Sequence, residues 1–425
     1  MQRTRRVITG LIALVLMVGL SPARAQSQAQ IEQAFADLYA ICLFETTANN
    51  PFSQAAALAR QSFAPGVSGF IESSLAAIPL TPPTLDAEYA DGRIVNVVSG
   101  FTPIYTESSA SVGKGLFVVG ANASYYNVSK IRGENLDELR FAFQQDGGGD
   151  QIVVEMPLDV SATVFTLHGT YGVTDRFDIG FALPFVNLQV DNINTTFKVE
   201  GDNTGCRYSP TGLNCAGLGS REVSPPLFNF VDDAVTQETF VETLALRAKY
   251  RFPVSVQAGR VAAVVDVRVP LRSEDNLLGS GNFGTRLTLI GEYNRLSTFQ
   301  PHLNVGAQFW NGENANSFNA AAGFNQQVAP DLFFAFDLLG TVSLEADPFL
   351  APIGGALSPD ETNGESALLS TSIPAVERDH ALNAGLGLQY VLSPSIHVYG
   401  SALFALLDRG LQSAVAPTAG IAAYF

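Results

Sequence analysis

Ser413-Ala-Val-Ala-Pro-Thr-Ala-Gly-Ile-Ala-Ala-Tyr-Phe425 places Val415, Ala419, Ile421, Ala423 and Phe425 on one side of an extended strand that ends on an aromatic residue. Successive side chains of a strand point to opposite faces, so a period of two separates an apolar face from a small or polar one. The period recurs upstream. Leu382, Ala384, Leu386, Leu388 and Tyr390 alternate with Asn383, Gly385, Gly387 and Gln389, and Phe177, Ile179, Phe181, Leu183 and Phe185 with Asp178, Gly180, Ala182 and Pro184. Val261, Ala263, Val265, Val267 and Val269 oppose Asp266 and Arg268, while Leu303, Val305, Ala307 and Phe309 oppose His302, Asn304 and Gln308.

Strands that are apolar on one face and polar on the other, repeated this often, fit an antiparallel up-and-down transmembrane β-barrel with lipid outside and a polar interior. They are expected over 114–129, 151–171, 176–191, 237–252, 257–270, 283–295, 299–311, 317–328, 331–345, 379–391, 395–409 and 413–425, which makes twelve. Tight connections at 172–176, 252–255, 297–299, 329–331 and 393–395 contrast with long ones at 192–236 and 346–378. Short turns belong to the periplasm and long loops to the outside, which puts both ends of the barrel at the periplasmic rim. Phe425 is then expected to close the sheet against the first strand near Leu116 to Tyr126. In the second strand the apolar set shifts from Leu158, Val160, Ala162 and Val164 to Phe165, Leu167, Gly169 and Tyr171, which predicts either a bulge near Val164 or an extension of the strand beyond the membrane.

The other end reads as an export signal. Arg3, Arg5 and Arg6 precede an apolar run from Val7 to Leu20 and a small-residue cleavage site at Ala23-Arg24-Ala25, so residues 1–25 form a signal peptide. Residues 26–112 form a separate amino-terminal segment, with helical pieces at Gln28 to Phe44 and Pro51 to Phe63 and a proline-rich connector at Pro79, Pro82 and Pro83; the barrel occupies 113–425. Ile31, Phe35, Leu38, Ile41 and Cys42 make one apolar face of the first piece. A plug in the lumen, a periplasmic arm and a membrane-surface helix all account for that face.

Cleavage removes four arginines and leaves 20 basic against 40 acidic residues, a balance that argues against nucleic acid as a partner. The expected partners are outer-membrane lipid and lipopolysaccharide, the barrel-assembly machinery and a small-molecule solute. Cys206 and Cys215 lie in a loop rich in Gly, Asn and Pro and are expected to form a disulfide in an oxidising compartment; Cys42 reads as a buried thiol. His168, His302, His380 and His397 are scattered without metal-ligand spacing, so no metal and no cofactor are expected. The glycines at 147–149 and 279–281 lack the lysine and the strand-to-helix context of a phosphate loop.

Candidate functional residues lie on the inward face: Asp178, Arg247, Lys249, Asp266, Arg268, Arg286, Glu292, His302, Asp337 and His397. Charges there either tune selectivity or pair to fill the barrel, and Arg247 and Lys249 beside open water would favour anions. Tyr125, Tyr126, Tyr171, Phe185, Tyr250, Phe252, Tyr293, Phe309, Trp310, Tyr390 and Phe425 are expected in interfacial girdles. Acidic residues Glu345, Asp347, Asp360, Glu361, Glu365 and Glu377 mark a solvated outer loop.

Three stretches are more specific: Phe101-Thr-Pro-Ile-Tyr-Thr-Glu107, Val112-Gly-Lys-Gly115, and Tyr171-Gly-Val-Thr-Asp-Arg-Phe-Asp-Ile-Gly-Phe-Ala-Leu-Pro-Phe185. They resemble the outer-membrane transporter family of the meta-pathway of phenol degradation. The resemblance implies an outer-membrane channel for small solutes, hydrophobic or aromatic compounds among them, with no catalytic motif. An autotransporter-like export barrel and an outer-membrane phospholipase are the other classes with barrels of this size, but the amino-terminal segment makes a poor passenger and no serine stands out.

Overall fold

The structure, a computed structural model, describes residues 86–90, 93–100, 105–138, 140–144, 151–155, 157–192, 196–200, 206–209, 212–215, 236–241, 243–253, 259–271, 283–293, 299–311, 316–345, 369–371, 378, 380–393, 395–407 and 411–425. The signal peptide, both expected amino-terminal helical pieces and Cys42 lie outside these residues, as do the glycines at 147–149 and 279–281.

The wall consists of β1 (Phe117–Ile131), β2 (Leu158–Gly172), β3 (Phe177–Asn192), β4 (Thr243–Arg251), β5 (Gly259–Pro270), β6 (Gly284–Tyr293), β7 (Phe299–Trp310), β8 (Ser317–Ala329), β9 (Leu332–Ser343), β10 (Ala381–Ser393), β11 (Ile396–Ala405) and β12 (Val415–Tyr424). Thr236–Val241 prolongs β4 along β3. Each strand pairs antiparallel with the next, and β12 returns to β1 from Thr418 opposite Ser124 to Tyr424 opposite Val118. Phe425 completes the closure, its N–H donating to the Phe117 carbonyl at 2.9 Å and its carbonyl accepting from the Phe117 N–H at 3.1 Å. The closure falls where the sequence puts it.

Hydrocarbon offers no partner to a backbone N–H or C=O, so the ring must close. Outward positions carry the exposed apolar residues, among them Ile179, Phe181, Leu246, Leu289, Leu303 and Leu388, while the residues between them face the lumen. Among the described residues no helix is long and apolar enough to cross a membrane; this chain crosses with strands. A closed antiparallel ring of twelve strands with an apolar outer belt is an outer-membrane barrel.

Exposed aromatics gather near the two rims, with Phe117, Tyr171, Tyr250, Phe252, Tyr293, Tyr390 and Phe425 at the end of the short turns. Two members of the expected girdle face inward instead. Tyr126 shares the inward parity of Ser124 and Val128, and Trp310 follows the outward Phe309 and packs over Gly284. The expected bulge at Val164 is absent: β2 pairs without a register shift against both β1 and β3. Val160, Ala162 and Val164 point inward and Phe165 and Leu167 point to lipid. The apparent switch arises because the lumen is itself apolar on this side.

Residues 151–155 leave the expected second strand and join Arg140–Gln144, Thr196–Glu200 and Leu369–Thr371 in a separate four-stranded sheet. Ahead of the wall, Asp86–Ala90 pairs with Arg93–Gly100 as a hairpin.

At the inner rim, two of the specific sequence stretches meet. Gly113 and Gly115 adopt φ values of 96° and 80° and turn the chain into β1, a conformation glycine reaches without strain. The Gly115 N–H donates to the Gly172 carbonyl at 2.7 Å and the Gly172 N–H to the Leu116 carbonyl at 2.9 Å. A Cβ on Gly172 would run into the Gly113 carbonyl oxygen. Gly172→Ala is therefore expected to displace the turn and destabilise the barrel by about 1–3 kcal/mol, the scale of an overpacked site; a lower temperature for the folded-to-unfolded gel shift would measure it.

Candidate functional site

Immediately before that turn the chain runs inside the barrel, and every residue from 105 to 112 is buried. The segment has no regular secondary structure, bends at Tyr105, Thr106 and Ser109, and carries hydroxyls at Thr106, Ser108, Ser109 and Ser111. Without a regular ladder most of its N–H groups need other partners: the Ala110 N–H finds the Ser108 hydroxyl at 3.1 Å, and lumen carboxylates accept from others.

The attachments follow one another from the rim inward. The Lys114 N–H donates to Asp175 of the β2–β3 turn at 3.3 Å. On β3, Asp178 accepts from the Val112 N–H at 3.2 Å and from the Ser111 hydroxyl at 2.7 Å, with Lys249 of β4 standing 3.8 Å away. Glu292 of β6 takes the Ser109 N–H at 2.9 Å and its hydroxyl at 2.5 Å. Glu107 reaches the Arg247 guanidinium at 2.9 Å, and its carbonyl accepts from Asn304 of β7 at 3.1 Å. Asp337 of β9 receives the Thr106 hydroxyl on Oδ1 at 3.2 Å and the Tyr105 N–H on Oδ2 at 3.4 Å, and His302 Nε2 lies 2.6 Å from the same Oδ1. The Tyr105 ring ends the run, packed with Ala335 and Tyr399 in the bare space above Gly385.

In a ring of twelve, β3 and β9 are opposite walls. The segment is thus a crossbar spanning the lumen, with charge-assisted bonds to three carboxylates and one buried ion pair. Arg247 is its centre: besides Glu107 it holds Asp266 of β5 through Nε at 2.6 Å and Nη2 at 3.0 Å, a two-pronged geometry that lysine cannot reproduce.

Of the residues singled out from the sequence, Asp178, Arg247, Lys249, Asp266, Glu292, His302 and Asp337 join this arrangement. Arg286 of β6 stands directly opposite Asp266, and Arg268 lies one inward position further out on β5. His397 sits apart on β11, its ring 5.3 Å from that of Tyr424. Ser109, Ser111 and Asn304 are not among the candidates the sequence offers, and Tyr105, Thr106 and Glu107 stand there only within the stretch that carries the resemblance; the signal available was the run of hydroxyl residues from Thr106 to Ser111. Cys206 and Cys215 stand directly opposite one another at the open end of a hairpin formed by Cys206–Ser209 and Gly212–Cys215.

No family model matches this chain and no curated protein matches it in sequence. Among solved structures, an outer membrane channel from Pseudomonas putida F1 is similar over 75% of this chain and 98% of its own, at 11% identity and a TM-score of 0.46. The KdgM porin covers 68% of this chain and 98% of its own at 9% identity and a TM-score of 0.31. A FadL homologue from Pseudomonas aeruginosa covers 73% and 90% at 9% identity and a TM-score of 0.29. These are likenesses of barrel outline and bear on no solute.

Arg247→Met would leave Glu107 and Asp266 buried together without their cation. Removing one partner of a buried ion pair costs about 3–5 kcal/mol, and here the crossbar can relieve that cost by leaving the lumen. A cysteine placed at Ser109 is expected to be inert to a bulky maleimide in the parent and to react in the Arg247→Met background.

Proposed function

We propose that this chain is an outer-membrane channel for small solutes, closed by its own residues 105–114 and opened when they leave the lumen. The observation that carries the reading is the crossbar itself. A barrel needing only a filled interior can pair its wall charges with one another, whereas Asp178, Glu292 and Asp337 accept from the segment's N–H and hydroxyl groups. Those bonds have ready substitutes, since water can solvate both sides once the segment moves. The attachment is reversible in principle, as a gate requires.

The solutes are those implied by the resemblance at 101–115 and 171–185, small hydrophobic or aromatic compounds. Passage needs no cofactor and no catalysis. Outer-membrane lipid and lipopolysaccharide surround the apolar belt, and insertion falls to the barrel-assembly machinery.

The test is conductance in planar bilayers. Full-length protein is expected to conduct weakly, and Glu292→Gln combined with Asp337→Asn, which weakens two attachments but preserves shape, is expected to raise the fraction of time spent in a large-conductance state severalfold. Single-channel traces indistinguishable between the two proteins would count against a gating crossbar, and absence of conductance in both would count against a channel.

A further inference from the structure

The side chain that ends the crossbar is, chemically, para-cresol on a tether, and the wall around Tyr105 forms a cup for that ring. The floor is Gly385 of β10, where a Cβ would run into the ring. Ala335 of β9 and Tyr399 of β11 pack against it, with Leu339 and Leu403 beside them. At the hydroxyl end Ser401, Thr418 and Ser124 stand directly opposite one another across β11, β12 and β1. The cup is thus a flat apolar slot that ends in a row of hydroxyls.

The tethered ring fills this slot but does not satisfy its polar end. The Tyr105 hydroxyl lies beside Ser401 and Thr418, yet neither it nor the Ser401 hydroxyl makes a well-formed hydrogen bond among the described residues, and both are buried. Thr418 is already engaged with Ser124 at 2.8 Å. Buried hydroxyls left unpaired cost free energy that a better-placed partner recovers. The main chain sets where the ring stands, because the Tyr105 N–H and the Thr106 hydroxyl are both held by Asp337. An untethered ring of the same chemistry has no such constraint.

We propose that the cup over Gly385 is a binding site for a single aromatic ring bearing one hydroxyl, that Tyr105 occupies it as a stand-in while the crossbar is in place, and that a solute of this class releases the crossbar by taking the ring's position. The assignment rests on the channel reading and adds to it the place where the solute is recognised and the event that opens the path. Ring and solute cannot share the slot, so the solute binds the released state alone and shifts the population towards it. The competition is intramolecular. A short tether gives the Tyr105 ring an effective concentration of roughly millimolar order, so the solute acts at millimolar levels. Gly385 sets specificity through the room it leaves, and Ser401 through its unpaired hydroxyl.

In full-length protein carrying Ser109→Cys, millimolar para-cresol is expected to speed maleimide labelling at position 109 about tenfold, within the usual span of coupling between two sites. Toluene lacks the hydroxyl and methylcyclohexanol lacks the flat ring, and each should act far more weakly at equal free concentration. Binding is read apart from release in Tyr105→Ala, whose cup is vacated. Fluorine NMR of para-fluorophenol should show a bound state there, weakened about tenfold when Gly385→Ala is added, the scale of an overfilled site. Should that double variant not fold, Ser401→Ala in place of the Gly385 change is expected to weaken para-fluorophenol and leave fluorobenzene unaffected. Labelling that para-cresol does not change, labelling accelerated equally by all three solutes, or para-fluorophenol bound equally in the single and double variants overturns the site. Neither readout needs ion flow. A protein that labels in response to para-cresol and never conducts defeats the channel reading and keeps the site, whereas one that conducts while labelling ignores para-cresol keeps the channel and loses the site.

Discussion

Everything in this molecule depends on the pairing of β12 with β1. In hydrocarbon an unpaired edge leaves a row of N–H and C=O groups without partners, and each costs several kcal/mol. The two bonds between Phe117 and Phe425 finish a ladder that leaves the ring without an edge. Closure fixes which side chains face inward, and the inward set provides the charges that the crossbar uses. The same pairing brings Leu116, Val118, Ala422 and Tyr424 around Val112, so the base of the crossbar is packed into the seam of the barrel.

The wall was legible because its rule is local. A residue such as Ile179 or Leu388 declares its face from its two neighbours, and the alternation of tight turns with long loops gives orientation. The inward parity of Asp178, Glu292 and Asp337 followed from the same rule. The crossbar was not legible, because its contacts join Ser109 to Glu292 and Thr106 to Asp337, positions 183 and 231 residues apart. An irregular segment whose partners sit on opposite walls leaves no period in its own sequence.

The misreadings have one physical origin. Alternation alone predicts apolar outside and polar inside, yet Val160, Ala162 and Val164 face inward, so a regular strand reads as bulged. Trp310 by its type belongs to the lipid interface, whereas its position after Phe309 turns it inward beside Arg268. In both cases an apolar or aromatic side chain lies in the lumen, where the usual barrel pattern expects a polar one, and both lie in the half of the lumen beyond the crossbar.

The glycine turn at 113–115 has a mechanical consequence. The crossbar is covalently anchored to β1 at the inner rim, and its free run ends at Tyr105 against the far wall. Tension applied upstream of Tyr105 from the periplasmic side would therefore load the attachments in series: Asp337 first, then Arg247, then Glu292, then Asp178. Bonds loaded one after another peel at far lower force than bonds sheared together, so the crossbar is built like a zip fastener, firm against a load shared along its length and weak to a pull on its upstream end.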